Sequence, residues 1–194
     1  RGMSSAASDV YKRQGQDLPH LLHHLDIADG QVLLSTNKIG PQDLATMYQV
    51  SDFTIGISDA EGFGLSTLES LSSGTPIIVN MTGGLQEQVT DGTDWFGWGI
   101  QPASKAVIGS LQVPYIYEDR ISQKDFNNVM KKALKLPKTK YKKMSEAGLK
   151  HIENNYSFES YEKGWIDLMD QIIEKHGSWE TRKNHKRWHF MEVA

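Results

Sequence analysis

The chain has 194 residues, a formal net charge of -3 with its histidines neutral, and no cysteine. That length holds one ordinary domain with extensions. The charge gives no electrostatic reason to expect nucleic acid as a partner, and the absence of cysteine excludes disulfides and cysteine metal sites and fits a reducing compartment. No apolar run approaches the roughly 20 residues a membrane-spanning helix needs, and no secretory apolar segment stands near the start. The expectation is a soluble, cytoplasmic protein.

Residues 1–14 have no usable hydrophobic period, and their end, Ser8-Asp9-Val10-Tyr11-Lys12-Arg13-Gln14, resembles adapter-derived sequence found at the ends of conceptual translations. A disordered or artefactual tail is expected there, with a genuine flexible linker as the alternative. Leu18 to Leu25 reads as a short helix, on which His20, His23 and His24 share a face. A metal site on that face is conceivable, but no further ligand signature accompanies the three, and a solvated helix face accounts for them; no metal is expected.

Gln31 to Ser35 reads as a strand, and Pro41 to Val50 as a helix that opens on proline and carries Leu44, Met47 and Tyr48 on one side. Phe53, Ile55 and Ile57 alternate with small or polar residues, the period-two pattern of a strand ending near Ser58. Leu65, Leu68 and Leu71 mark a helix over 64–73, stopped by Gly74-Thr75-Pro76. Pro76 to Asn80 is the next strand. Strand, helix and strand joined by brief connections imply a parallel sheet with right-handed crossovers and ligands at the carboxyl ends of its strands. Ser58 to Gly64 and Asn80 to Gly84 both fall at such ends, so the two loops are expected to converge on one crevice.

Gly92 to Arg120 holds Trp95, Phe96, Trp98, Pro102 and Pro114 without a sustained period, and so reads as a long functional or mobile loop. Within it Tyr115 to Arg120 is a candidate returning strand, while Ser104 and Lys105 are candidates to reach the crevice; a purely structural flap is an equal alternative. Helices are expected over 122–136, 138–154 and 158–176, with Ser122 and Asp125 forming a capping-box variant and Ser157 capping the last. Beyond Ser178 the chain turns basic and aromatic, with Trp179, Arg182, Lys183, Lys186, Arg187 and Trp188. Such a segment is a solvated or docking extension more often than a contact for anionic lipid or a partner helix.

The stretch Asp59-Ala60-Glu61-Gly62-Phe63-Gly64-Leu65, with Glu69 beyond it, lies where a strand hands over to a helix. Glycines there let backbone approach a ligand, and the free N–H groups and dipole of the first helical turn favour an anion. Thr67 stands where a dinucleotide fingerprint needs its third glycine, and there is neither a phosphate-binding Gly-Lys-Ser/Thr loop nor an Asp-x-Asp pair. Taken alone, Glu61 could merely complement a helix N-terminus and Glu69 be a solvated helix residue.

Glu61-Gly62-Phe63-Gly64-Leu65 with Glu69, then Gly74-Thr75-Pro76, then Thr82-Gly83-Gly84 with Glu87, and then Asp91-Gly92 together resemble the donor-binding half of group 1 (family 4) retaining glycosyltransferases of GT-B architecture, from about Asp17 to His176. The resemblance implies an α/β, Rossmann-like parallel sheet flanked by helices, with further helices at the C-terminus. It implies a tail over 1–14, a partial nucleotide-sugar-binding domain over 15–177 and a basic, aromatic extension over 178–194. It also implies a nucleoside-diphosphate sugar as donor substrate, without cofactor or obligatory metal. Glu61 would contact hydroxyls of the transferred sugar as the catalytic residue. Gly62, Phe63, Gly64 and Leu65 would hold the diphosphate through backbone N–H groups, and Glu69 would accept from the ribose hydroxyls. Thr82, Gly83 and Gly84 would let backbone approach the sugar or phosphate, with Glu87 bracing their loop.

A complete enzyme of this kind has an N-terminal domain for its acceptor, which may be named by class as saccharide, lipid or protein, and an early Arg and Lys that neutralise the diphosphate. Neither is matched here. The expectation is therefore a chain that begins partway through the donor half, binds nucleotide sugar weakly and transfers little. Rival readings are a nucleotide-sugar epimerase of similar architecture and a non-catalytic nucleotide-sugar-binding module.

Overall fold

A computed structural model describes residues 17–109 and 111–183, which fall into two compact units divided between Ile152 and Glu153. The expected tail over 1–14, and Lys186, Arg187 and Trp188, lie outside the described residues.

The first unit opens with α1 (Leu18–His24), whose N-cap Asp17 accepts from His20 N at 3.0 Å, and α2 (Pro41–Gln49), with proline in its first turn. Then come β1 (Thr54–Gly56), α3 (Leu65–Ser72), β2 (Ile77–Asn80), α4 (Leu85–Val89) and β3 (Gly97–Ile100). A hairpin of β4 (Ser104–Ile108) and β5 (Ile116–Arg120) precedes α5 (Gln123–Leu134) and α6 (Lys138–Asn155). The strands β1, β2 and β3 form a parallel sheet in that order, in register Thr54 to Ile77 and Ile77 to Gly97. This is the expected class, a parallel α/β sheet flanked by helices.

Every residue of β2 is buried, as the near-continuous apolar run of a central parallel strand requires. Ile77 and Val79 face one way, into a core with Leu71, Leu85, Val89 and Phe96, against which Ala147 of α6 packs. Ile78 faces the other way, with Ile100 and with Val129 and Ala133 of α5. The helical period of α3 puts Thr67, Ser70 and Leu71 inward, not the Leu65, Leu68 and Leu71 stripe; Leu65 is 68% exposed. Ser70 can be buried because its hydroxyl lies 2.7 Å from Thr54 Oγ1 and donates to Thr75 O at 2.9 Å. The helix ends as expected, with Gly74 in the left-handed region at φ +80°.

Three segments differ from the sequence reading. Gln31 to Ser35 forms no strand: Val32, Leu33 and Leu34 are exposed, and the described strand β1 pairs with β2 alone, so no ladder reaches the segment. Conversely, Gly97–Ile100 is a strand although two of its residues are glycine. A Cβ at Gly97 would fall 1.8 Å from Ile77 O of β2 and one at Gly99 2.2 Å from the Met81 sulfur, so close packing against β2 and the Met81 side chain demands the residues that weaken the strand signal. The short helix α4 covers residues to which the sequence reading assigns no element. The rest of the long loop resolves into the hairpin, whose second strand follows the Tyr115 to Arg120 expectation.

The second unit contains α7 (Phe158–His176), capped by Ser157 Oγ accepting from Ser160 N at 3.1 Å and ended by Gly177 at φ +79°. Beyond it the Arg182 guanidinium lies 3.5 Å from the centroid of the Trp179 ring. Among the described residues no helix is long and apolar enough to cross a membrane.

Candidate functional site

The loop after β1 delivers its residues to the start of α3. Gly64 is the N-cap, at φ +87° and ψ +65°, and being glycine it supplies no side-chain cap to the first-turn N–H groups. The first-turn N–H groups of a helix lack intrahelical partners, and the positive end of the helix dipole lies at this turn. Added bulk at Gly64 has no room, since a Cβ there would lie 2.6 Å from Leu85 Cδ2.

The loop after β2 meets this one directly. Gly84 N donates to Glu61 O at 3.3 Å. A Cβ on Gly83 would sit 1.7 Å from the same oxygen, and one on Gly84 2.8 Å from Phe63 O. The expected convergence of the two loops is therefore a backbone-to-backbone contact that only the glycine pair permits. Glu61 is half-buried beside it, and the Phe63 side chain is half exposed. Glu87, expected to brace the loop, is instead an exposed residue of α4. Its neighbour Gln88 does the bracing: wholly buried, it donates from Nε2 to Phe63 O at 2.5 Å and has its Oε1 2.5 Å from Thr67 Oγ1. The short α4 has turned position 88 inward and position 87 out.

Glu69 is exposed on α3, and its Oε2 accepts from Tyr48 Oη at 3.0 Å. Tyr48 is 6% exposed. Burial pushes its hydroxyl well above the usual tyrosine range, and the Glu69 hydrogen bond and charge push it further. The phenol therefore remains a proton donor that fixes one carboxylate oxygen of Glu69. A cleft of about 50 Å³ between Tyr48, Ile55 and Ser66 adjoins the first turn of α3.

Thr82 is buried, and its hydroxyl donates to Asp119 Oδ2 at 2.9 Å, so its proton is already engaged. Lys105 Nζ lies 3.6 Å from Asp119 Oδ1, which brings Lys105 to the edge of the crevice region as an ion-paired cation. Ser104, in register with Arg120, stands at the exposed end of β4. His20 and His24 are exposed on α1, and among the described residues no group of three or more His, Asp or Glu is placed to hold a metal ion. Sequence reasoning does not single out Tyr48, Gln88 or Asp119, which the structure bonds to Glu69, Phe63 and Thr82. Tyr48 stands in the sequence only as one of three residues on one side of its helix.

A parallel sheet whose carboxyl-end loops meet at an uncapped helix N-terminus defines a Rossmann-like α/β domain. The chain belongs to the family described as glycosyl transferases group 1, whose profile it matches over residues 14–151. It is 33% identical over 112 residues to an alpha-monoglucosyldiacylglycerol synthase of Streptococcus pneumoniae, a match covering 56% of this chain and 24% of that protein. It is 42% identical over 53 residues to a D-inositol 3-phosphate glycosyltransferase of Corynebacterium kroppenstedtii, covering 27% of this chain and 12% of that one. The chain thus spans about a quarter or less of the length of these curated relatives. A sucrose-phosphate synthase from Thermosynechococcus elongatus shares the fold at TM-score 0.60 and 18% identity, over 81% of this chain and 34% of that chain.

Proposed function

We propose that this chain forms the donor-binding part of a retaining glycosyltransferase that moves a hexosyl group from a nucleoside-diphosphate sugar to a hydroxyl of a saccharide, lipid or protein acceptor. The observation that carries the reading is the contact of the Glu61 loop with Gly83 and Gly84 around the uncapped N-terminus of α3. Membership of the group 1 family supports the reaction class. A cytoplasmic location belongs to the same reading and is supported by the cysteine-free composition.

In this reading the diphosphate lies on the backbone of Gly62 to Leu65, at the α3 N-terminus. Charge gathers on the leaving phosphate as the glycosidic bond breaks. Amides already aimed at that charge stabilise the transition state more than the ground state, so the step needs no obligatory metal. Glu61 contacts hydroxyls of the transferred sugar, and Glu69, held by Tyr48, accepts from the ribose edge. Hydrogen bonds to a charged carboxylate of this kind contribute about 1.5–3 kcal/mol each. Thr82, Gly83 and Gly84 let backbone close on the sugar or phosphate from the other loop.

The test is an amide-resolved NMR titration of the 194-residue chain with glucose esters of uridine, guanosine and adenosine diphosphate. At least one should bind and shift the amides of 62–66 and 82–84. Shifts confined to other surfaces, or none with any of the three, would contradict the proposal.

A further inference from the structure

We propose that Asp119, at the end of β5, is a positioning residue of the crevice, through which the β4–β5 hairpin sets the spacing of the two crevice loops. The inference rests on the donor-crevice reading above and extends it to an element that the reading leaves idle.

Asp119 is fastened to both loops by different atoms. Its side-chain Oδ2 accepts from Thr82 Oγ1 at 2.9 Å, one residue before the Gly83-Gly84 pair. Its backbone N donates to Asp59 O at 2.7 Å, two residues before Glu61. Its backbone O accepts from Asn80 Nδ2 at 2.7 Å, and the same amide nitrogen donates to Ser58 O at 2.9 Å. Asn80 is wholly buried at the carboxyl end of the central strand, so the ends of β1, β2 and β5 are knotted at one side chain. With both Nδ2 hydrogens given to carbonyls, the orientation of the Asn80 amide is fixed, and its Oδ1 has no hydrogen-bond partner among the described residues.

The neighbouring charges hold the same arrangement. Arg120 Nη1 lies 3.2 Å from Asp59 Oδ2 and the guanidinium also pairs with Glu118, while Lys105 Nζ pairs with Asp119 Oδ1. Exposed ion pairs of this sort contribute little individually. The short bonds from the buried Asn80 and Thr82 carry the attachment. With its carboxylate engaged by Thr82 and Lys105, Asp119 is assigned to act through the loops it places. The hairpin is otherwise exposed, with both strands largely open to solvent. The polar attachment concentrated at 118–120 therefore has no core-packing purpose to explain it.

Hydrogen exchange by mass spectrometry on the whole chain tests the positioning without any ligand. In Asp119→Ala the amides of 82–86 should exchange about tenfold faster, the effect of losing one hydrogen bond, while β2 and α5 keep their protection. Asp119→Asn, whose amide oxygen still accepts from Thr82, should stay close to the parent rate. Thr82→Val, which removes the same bond from its other end, should reproduce Asp119→Ala. Unchanged exchange at 82–86 in both Asp119→Ala and Thr82→Val overturns the proposal; so does faster exchange throughout the chain without rescue by Asp119→Asn. Calorimetry with uridine, guanosine and adenosine diphosphates completes the test. The Kd of whichever binds should rise about fivefold in Asp119→Ala and recover in Asp119→Asn, and an unchanged Kd beside a loosened loop overturns the proposal. A parent chain that binds none of the three contradicts the donor-crevice reading instead, and the exchange rates still decide whether Asp119 places the loops.

Discussion

At Gly83 a side chain has no space: φ is +47° and a Cβ would lie 1.7 Å from Glu61 O. Gly83→Ala must push the two loops apart. We expect nucleoside-diphosphate affinity to fall by about tenfold, roughly 1.4 kcal/mol, with a much smaller change in the thermal midpoint than a core truncation gives; calorimetry and a melt on the same sample check both. Tyr48→Phe removes the phenol that holds Glu69 Oε2, and should cost about 0.5–1.5 kcal/mol of stability in a urea titration. Glu61, Glu69 and the glycines are named in the sequence by resemblance to a family motif, which rests on residue type at short spacing, and the structure brings Glu61 against Gly83 and Gly84. Tyr48 could not be read as a site residue, because its role depends on the inward face of α2 meeting a helix 21 positions on.

Among the elements, α4 shows why the bracing residue was misassigned. A five-residue helix has too little sequence to display a period, yet its geometry decides which of Glu87 and Gln88 faces the crevice loop. Gln88→Leu removes the hydrogen bonds that the buried amide makes with Phe63 O and Thr67 Oγ1 and should destabilise the chain by about 1–3 kcal/mol. Differential scanning calorimetry would register this as a lower midpoint, and a midpoint equal to the parent's would count against the brace. The longer elements were plain in the sequence where a cap and a period agree: α5 and α7 begin at the serines expected to cap them. The strand β3 was hidden by the glycines its packing requires, and Gln31 to Ser35 misled because apolar character alone gives a strand nothing to pair with.

For the molecule as a whole, two phenols report on folding. Burial raises the Tyr48 and Tyr141 hydroxyls above their ordinary value of 10.0, aided at Tyr48 by Glu69 and at Tyr141 by the charge of Asp52. Above about pH 10 the unfolded chain therefore releases these protons before the folded chain does. The stability they contribute is complete below that pH and is lost as pH rises past it. Urea midpoints at pH 9 and pH 11 should show the fall, and Tyr48→Phe should make it shallower. The parallel sheet and the meeting of two loops at its carboxyl edge followed from alternating elements. The hairpin's attachment to that edge did not, because it joins Asp119 to Asn80 and Thr82 across 39 and 37 positions through hydrogen bonds that leave no periodic trace.

The central proposal is a division of labour in which Glu61 would serve the sugar and Glu69 the nucleoside, on either side of a helix N-terminus that would hold phosphate. Calorimetry of Glu61→Ala and Glu69→Ala with a nucleoside-diphosphate sugar and with the matching nucleoside diphosphate tests it directly. Glu61→Ala should weaken the sugar nucleotide about tenfold and leave the diphosphate unchanged, whereas Glu69→Ala should weaken both about equally. Equal losses for both ligands in Glu61→Ala, or unaltered binding of both in Glu69→Ala, would contradict the account.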